Sequence, residues 1–288
     1  MRSEKTNIYP SSEGSISSTE FDAFRVYLES QTGIVLSDNK GYLVASRLNR
    51  LMCDQKIASF SELIIRIKQE SNLAKFVIDA MTTNETSWFR DNYPYDILQQ
   101  KLLPDLVKSK PSRIRIWSSA CATGQEPYSI RMVTDEYLQK NLGVYSRENI
   151  EVIGTDISSA ALDMAKLGIY DSAMAGRGLL ADRKKRFFSL KDNQWHVKDD
   201  IKNSVSFREL NLKQSYASLG KFDIIFCRNV MIYFSSHLKS EVLAKMAASL
   251  NPGGYLMVGG SESVSGYCDS FELISWKSGV VYQLKQAG

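Results

Sequence analysis

The chain has 288 residues, 43% of them apolar and 24% charged, with 36 basic and 32 acidic residues for a net charge of +4. That length holds one large or two modest domains, and the composition is that of an ordinary globular core. The charge is too mild to argue for a nucleic-acid partner, and no apolar run approaches the roughly 18 residues of a membrane span. Cys53, Cys121, Cys227 and Cys268 are scattered without a C-x-x-C pair, and only two histidines accompany them, so neither a disulfide framework nor a metal site is expected. The start lacks the apolar core of a signal peptide, which places the expected location in the cytoplasm.

Residues 1–18 read as a flexible, Ser-rich tail. Residues 19–82 read as an all-helical domain. Thr19-x-x-Asp22 resembles a capping box ahead of Phe21, Phe24, Tyr27 and Leu28, and Gly33 closes that helix. Ser37 or Asp38 opens a second helix with Leu43, Val44, Leu48 and Leu51 inward. Ser59-x-x-Glu62 opens a third, and a fourth spans about Leu73 to Met81. The second carries Arg47 and Arg50 one turn apart, expected to stand unneutralised on their helix. They form either a solvated face or a docking surface for an acidic partner.

Residues 83–95 read as a linker, Thr83-Asn84-Glu85-Thr86-Ser87-Trp88-Phe89-Arg90-Asp91 at its centre. Trp88 and Phe89 could plug a domain boundary, with Arg90 paired to Asp91. Alternatively the segment is a clasp that offers Asn84, Thr86 and Arg90 to a ligand. A helix bent near Pro104 follows.

From 96 to 286 the pattern alternates strand and helix, with strands at 114–120, 149–157, 205–210, 221–227, 255–259 and 279–284. This predicts an α/β fold with a doubly wound, mostly parallel sheet. Asn251-Pro252-Gly253-Gly254 reads as a turn. Residues 172–204 interrupt the alternation as a small inserted β-subdomain, and its run Arg183-Lys184-Lys185-Arg186 reads as a solvated helix face.

Ligands of such sheets bind beyond the carboxyl ends of the strands. Gly124 and Glu126, Asp156, Asn211 and Leu212, and then Arg228, Asn229 and Tyr233 follow successive strands there. An acid at the second strand end suits a ribose. The first loop lacks the glycines of a dinucleotide fingerprint and the Lys of a P-loop, and Glu126 opposes phosphates but suits an ammonium group. Ribose, adenine and an amino-acid tail together make S-adenosylmethionine.

Three stretches, Thr83 to Arg90, Ala122-Thr123-Gly124-Gln125-Glu126-Pro127-Tyr128-Ser129 and Phe226-Cys227-Arg228-Asn229-Val230-Met231-Ile232-Tyr233-Phe234, resemble the CheR family of chemotaxis receptor glutamate methyltransferases. The resemblance runs from about residue 19 to 285, with Gln125 a departure where many members have Glu. It implies a Rossmann-like methyltransferase fold with the helical front domain and the inserted subdomain. It implies that Asn84, Thr86, Arg90, Glu126, Asp156, Asn211, Leu212, Arg228 and Asn229 line the S-adenosylmethionine site, with Arg90 and Tyr233 nearest the reacting centre. It further implies that Arg47 and Arg50 meet the cytoplasmic methylation region of the receptors, with glutamate methyl esters and S-adenosylhomocysteine as products. A peptide grip at the inserted subdomain is not carried over, because the segment between Phe188 and Trp195 is short and has no glycine. Two rivals stay open on the residues alone: a methyltransferase for RNA or a small molecule, and a non-catalytic cofactor sensor.

Overall fold

The computed structural model describes residues 16–109, 112–143, 145–277 and 279–285. Most of the expected tail, 1–18, lies outside the described residues. By contact density the chain divides into two compact units, Met1–Gln31 with Val35–Met81 and Thr32–Ile34 with Thr82–Gly288.

The first unit is helical: α1 (Ser18–Thr32), α2 (Gly41–Asp54), α3 (Phe60–Arg66) and α4 (Ser71–Met81). The cap of α1 differs from the expected Thr19-x-x-Asp22. Glu20 N–H donates to Ser17 Oγ at 3.3 Å, and Ser17 N–H donates to Glu20 Oε2 at 3.1 Å, so the box is Ser17-x-x-Glu20. Glutamate has the reach for that return bond, whereas the shorter Asp22 pairs with Arg25 one turn along at 3.1 Å. The other Glu20 oxygen accepts from Ser61 N–H at 2.9 Å and Ser61 Oγ at 2.8 Å, which ties α1 to the start of α3.

Helix α2 also starts later than expected, with Ser37 to Lys40 spent on a turn closed by Lys40 N–H to Ser37 O at 3.1 Å. Val44, Leu48 and Met52 are buried, while Leu43 and Leu51 are half-buried. Ser59 caps α3 as expected, its Oγ accepting from Glu62 N–H at 3.1 Å. The Arg47/Arg50 pair is not unneutralised: Asp54, one turn beyond Arg50, lies 3.9 Å from its Nε. Arg47 Nη1 donates to the Met81 carbonyl at 2.7 Å, satisfying an open carbonyl at the end of α4.

In the second unit α5 (Tyr93–Ile97) passes through a single π turn, Leu98–Leu102, into α6 (Leu103–Ser109). The widened turn precedes Pro104, whose missing N–H it accommodates without a break. There follow β1 (Ile114–Ser119), α7 (Gln125–Lys140), β2 (Ile150–Asp156) and α8 (Ser159–Leu167). The insert begins at Ile169 and not at 172, because β3 (Ile169–Tyr170) joins β4 (Phe188–Lys191) and β5 (Gln194–Val197) in a three-stranded sheet; it also holds α9 (Ser172–Gly176), α10 (Ala181–Phe187) and α11 (Asp199–Lys202). Last come β6 (Val205–Glu209), β7 (Phe222–Cys227), α12 (Ser236–Ser249), β8 (Leu250–Val258), β9 (Phe271–Trp276) and β10 (Gly279–Leu284).

The main sheet runs β6-β2-β1-β7-β8-β10-β9. Its first five strands are parallel, and β10 and β9 are antiparallel. Both faces are covered, as the apolar strands require: Ile114, Ile116, Ile130 and Val133 pack in one cluster, Trp117, Ile153, Ile225 and Leu243 in another. The strand order reverses between β1 and β7, which opens a crevice at their carboxyl ends.

Three expectations need correction. Strand β9 was not anticipated, because an edge strand with only Phe271 fully buried carries a weak alternation. The Asn251–Gly254 turn lies within β8, where the register against β7 slips between Phe222 and Ile224 and Gly253 takes φ +72°. The basic run of α10 is not a solvated face. Arg183 pairs with Glu136 at 2.8 Å, Arg186 with Asp135 at 3.2 Å, and Lys184 Nζ lies 3.9 Å from the Trp195 ring centre. Among the described residues no helix is long and apolar enough to cross a membrane.

Candidate active site

The loop after β1 is strained. Ala120 and Ala122 take positive φ, +82° and +48°, and Gly124 takes +94°. Left-handed alanines cost roughly 1–3 kcal/mol each and persist where the surroundings over-determine them. Here Ala120 and Cys121 both donate N–H to Thr155 O at 2.7 and 2.9 Å, and Ala122 N–H donates to Asp156 Oδ2 at 2.8 Å. The other Asp156 oxygen accepts Ser158 N–H at 2.9 Å, so both oxygens are oriented at the end of β2. A Cβ on Gly124 would lie 2.8 Å from Ala165 Cβ. This glycine lets α8 approach the loop and does not itself line the cleft.

Glu126 follows at the start of α7, buried. Its Oε1 accepts from Ser118 Oγ at 2.8 Å and its Oε2 from Arg228 Nη1 at 2.8 Å. Arg228, 5% exposed at the end of β7, also binds Asp91 Oδ2 at 2.6 Å and the Arg90 carbonyl at 3.0 Å. Burial opposes its charge, but Glu126, Tyr95 and Asp91 together outweigh it, and the guanidinium is held protonated far above neutral pH. Two carboxylates against one guanidinium leave this triad one charge negative. An ammonium or sulfonium group is favoured there and a phosphate is not.

The segment 83–91 is not a plug between domains. Trp88 and Phe89 are buried in the core, while Asn84, Thr86 and Arg90 line the cleft. Arg90 does not pair with Asp91; its Nη1 donates to the Glu85 carbonyl at 3.1 Å, and Asp91 is taken by Arg228. Phe89, Asp91 and Asn92 have φ of +49°, +69° and +52°, a second strained stretch facing the first.

The cleft spans about 870 Å³ of empty space, the open solvent at its edge included. Asn84, Thr86, Arg90, Glu126, Asp156, Asn211, Leu212, Arg228, Asn229 and Tyr233 all line it, with Leu210, Ile157 and Val230 as apolar wall. Arg47 and Arg50 sit on α2 in the helical unit, Arg47 half-buried and the Arg50 side chain 93% exposed. Burial pushes the Cys121 and Cys227 thiols up, which keeps both as inert packing groups at neutral pH. Glu262 was missed. From the loop after β8 its carboxylate accepts N–H groups of Asn229 (2.6 Å), Val230 (3.1 Å) and Gly259 (2.8 Å). It pins the left-handed Asn229 and the turn that presents Tyr233. Only its place in Gly259-Gly260-Ser261-Glu262, just past a strand, could have drawn attention to it.

These walls fit an adenosyl amino acid: an oriented acid at β2 for ribose hydroxyls, apolar and amide side chains beyond β6 for a base, and a negative triad beside Arg90 for an ammonium and a carboxylate. Comparison with known families agrees. Residues 19–82 match the CheR methyltransferase, all-alpha domain, and residues 84–280 match the CheR methyltransferase, SAM binding domain. The chain belongs to the CheR methyltransferase family. It is 48% identical over 274 residues to chemotaxis protein methyltransferase 1 of Pseudomonas aeruginosa, covering 94% of this chain and all of that one. It is 50% identical over 273 residues to chemotaxis protein methyltransferase 1 of Vibrio cholerae, covering 94% and 98%. A third relative, chemotaxis protein methyltransferase Cher2 of Pseudomonas putida, is 47% identical over 270 residues, covering 92% and 98%. As a CheR methyltransferase this enzyme uses S-adenosylmethionine, and its Rossmann-like sheet opens a cleft at the β1/β7 switch point.

Proposed function

We propose that the enzyme transfers a methyl group from S-adenosylmethionine to glutamate side chains in the cytoplasmic methylation region of chemotaxis receptors. The products are glutamate methyl esters and S-adenosylhomocysteine. The observation that carries this reading is the character of the cleft: Arg90 and Tyr233 line it, and no histidine is among its lining residues. A glutamate, with an ordinary pKa near 4.3, is already a nucleophile at neutral pH and needs no general base. When bound, S-adenosylmethionine supplies a methyl group on a sulfonium. The residues present need only bind, orient and exclude water. Asp156 holds the ribose, Asn211 and Leu212 the adenine side, and the Glu126–Arg228–Asp91 triad the amino-acid tail. Arg90 orients charge in the pocket, and Tyr233 hydrogen-bonds close to the line of transfer. The relatives' names as chemotaxis methyltransferases support the choice of substrate.

Receptor docking falls to α2. The Arg50 side chain is exposed and only loosely paired with Asp54, so it is available to an acidic partner. Arg47 supports it while holding the end of α4.

The test is receptor methylation by the purified enzyme. Arg90→Ala should cut methyl transfer by orders of magnitude with little loss of folding stability. Arg50→Glu should raise KM for the receptor and leave KM for S-adenosylmethionine alone. Wild-type methylation by Arg90→Ala would refute its assigned role, and an unchanged receptor KM in Arg50→Glu would remove α2 from docking.

A further inference from the structure

The inserted segment lines none of the cleft but packs behind two of the stretches that do. Trp88, two residues before Arg90, is seated in it. Its indole stands edge-on to Tyr170 of β3 (5.0 Å, 81°) and to Phe188 of β4 (5.1 Å, 89°). Its Nε1–H donates to the Met174 carbonyl at 3.1 Å, and its backbone N–H donates to the Arg177 carbonyl at 3.1 Å. Glu85 pairs with Arg177 at 2.7 Å, and Arg90 donates to the Glu85 carbonyl. The stretch from Glu85 to Trp88 is thus held at both ends by residues 174–177, and Arg90 is held by that stretch.

The same insert reaches the floor. Tyr170 Oη donates to the Thr123 carbonyl at 2.8 Å, within the strained loop between Ala122 and Gly124. One strand of the insert therefore fixes the loop after β1 by its hydroxyl and the clasp by its ring. Gly178 shows how closely the two parts meet. It is exposed, with φ +90°, and a Cβ there would lie 2.1 Å from the Trp88 carbonyl oxygen. Its other near neighbours are also Trp88 backbone atoms.

We propose that Tyr170, Arg177 and Gly178 are positioning residues of the methyl-donor site, through which the inserted subdomain sets the Arg90 clasp and the Thr123 floor together. A shift in this segment alters cofactor affinity although none of the three touches the cofactor.

The full chain tests this with S-adenosylhomocysteine as the calorimetric probe. Gly178→Ala should weaken its binding about tenfold or more, as displacements of an ångström do in positioned sites. It should also speed hydrogen exchange at the Trp88 amide. Gly176→Ala, two positions away with nothing within 4 Å of the added methyl, should bind as wild type does. Tyr170→Phe removes a single hydroxyl and should weaken binding several-fold with the Trp88 amide still protected, which separates floor from clasp. Wild-type affinity in both Gly178→Ala and Tyr170→Phe overturns the proposal. So does a loss in Gly178→Ala with Trp88 protection and thermal midpoint unchanged.

Discussion

Glu262 is one carboxylate serving three backbone donors from two strand-end loops. Replacing it with glutamine puts an amide NH2 against at least one of those donors. An unsatisfied, poorly solvated donor costs about 1–3 kcal/mol. If that distortion falls on the turn bearing Tyr233, kcat/KM in Glu262→Gln drops about tenfold, since roughly 1.4 kcal/mol is a factor of ten. Steady-state kinetics alongside thermal unfolding checks this; an unchanged kcat/KM would leave Glu262 with a folding role only. The site residues past β1, β2 and β7 were legible because chemistry-bearing side chains followed predicted strands. Glu262 was not, because it acts on backbone N–H groups, and the sequence does not display which loop a carboxylate folds back onto. The Arg228 partnership with both Glu126 and Asp91 was hidden for a related reason: Asp91 stands next to Arg90 in the chain, yet the left-handed turn at Asp91 and Asn92 aims it elsewhere.

At the level of elements, capping chemistry was legible in kind and less so in position. Ser59 caps α3 as read but Glu62 Oε2 accepts from Ala58 N–H at 2.9 Å and not from Ser59, while α1 is capped by Ser17 and Glu20. The decisive factor was tertiary, since Glu20 also receives both donors of Ser61. The side-chain bond from Ser17, then that from Ser61, lowers the Glu20 pKa from its ordinary value of 4.5. A lowered folded-state pKa stabilises the fold above the unfolded value, and this is lost as pH falls through the folded value. Wild type should therefore exceed Glu20→Gln in stability at neutral pH, and the gap should close as pH drops below 4.5. Urea unfolding followed by helical circular dichroism across that range tests it; a gap that persists in acid would mean that the carboxylate charge is irrelevant. The parallel strands were easier to read than β9 because burial on both faces gives an unbroken apolar run, whereas β9 buries little.

For the molecule as a whole, alternation of strands and helices was enough to predict the sheet and the end at which its cleft opens. What the alternation did not convey is how closely the insert packs behind the site. Its basic helix is spent on Glu136, Asp135 and Trp195, and its Tyr170 and Met174 hold Trp88. Apart from the contact of that helix with Trp195, those join segments more than forty residues apart, set by the fold and not by local pattern. The cleft that results carries Arg90 and Arg228 beside its carboxylates and has no histidine among its lining residues, which suits a substrate whose carboxylate is already ionised. The most direct measurement of that claim is the chemical nature of the modification. The enzyme is incubated with methyl-labelled S-adenosylmethionine and the cytoplasmic fragment of a chemotaxis receptor, and the product is mapped by peptide mass spectrometry before and after mild base. Expected is a methyl group on glutamate side chains that base releases as methanol. Label that survives base, or that sits on any residue other than glutamate, would contradict carboxylate methylation.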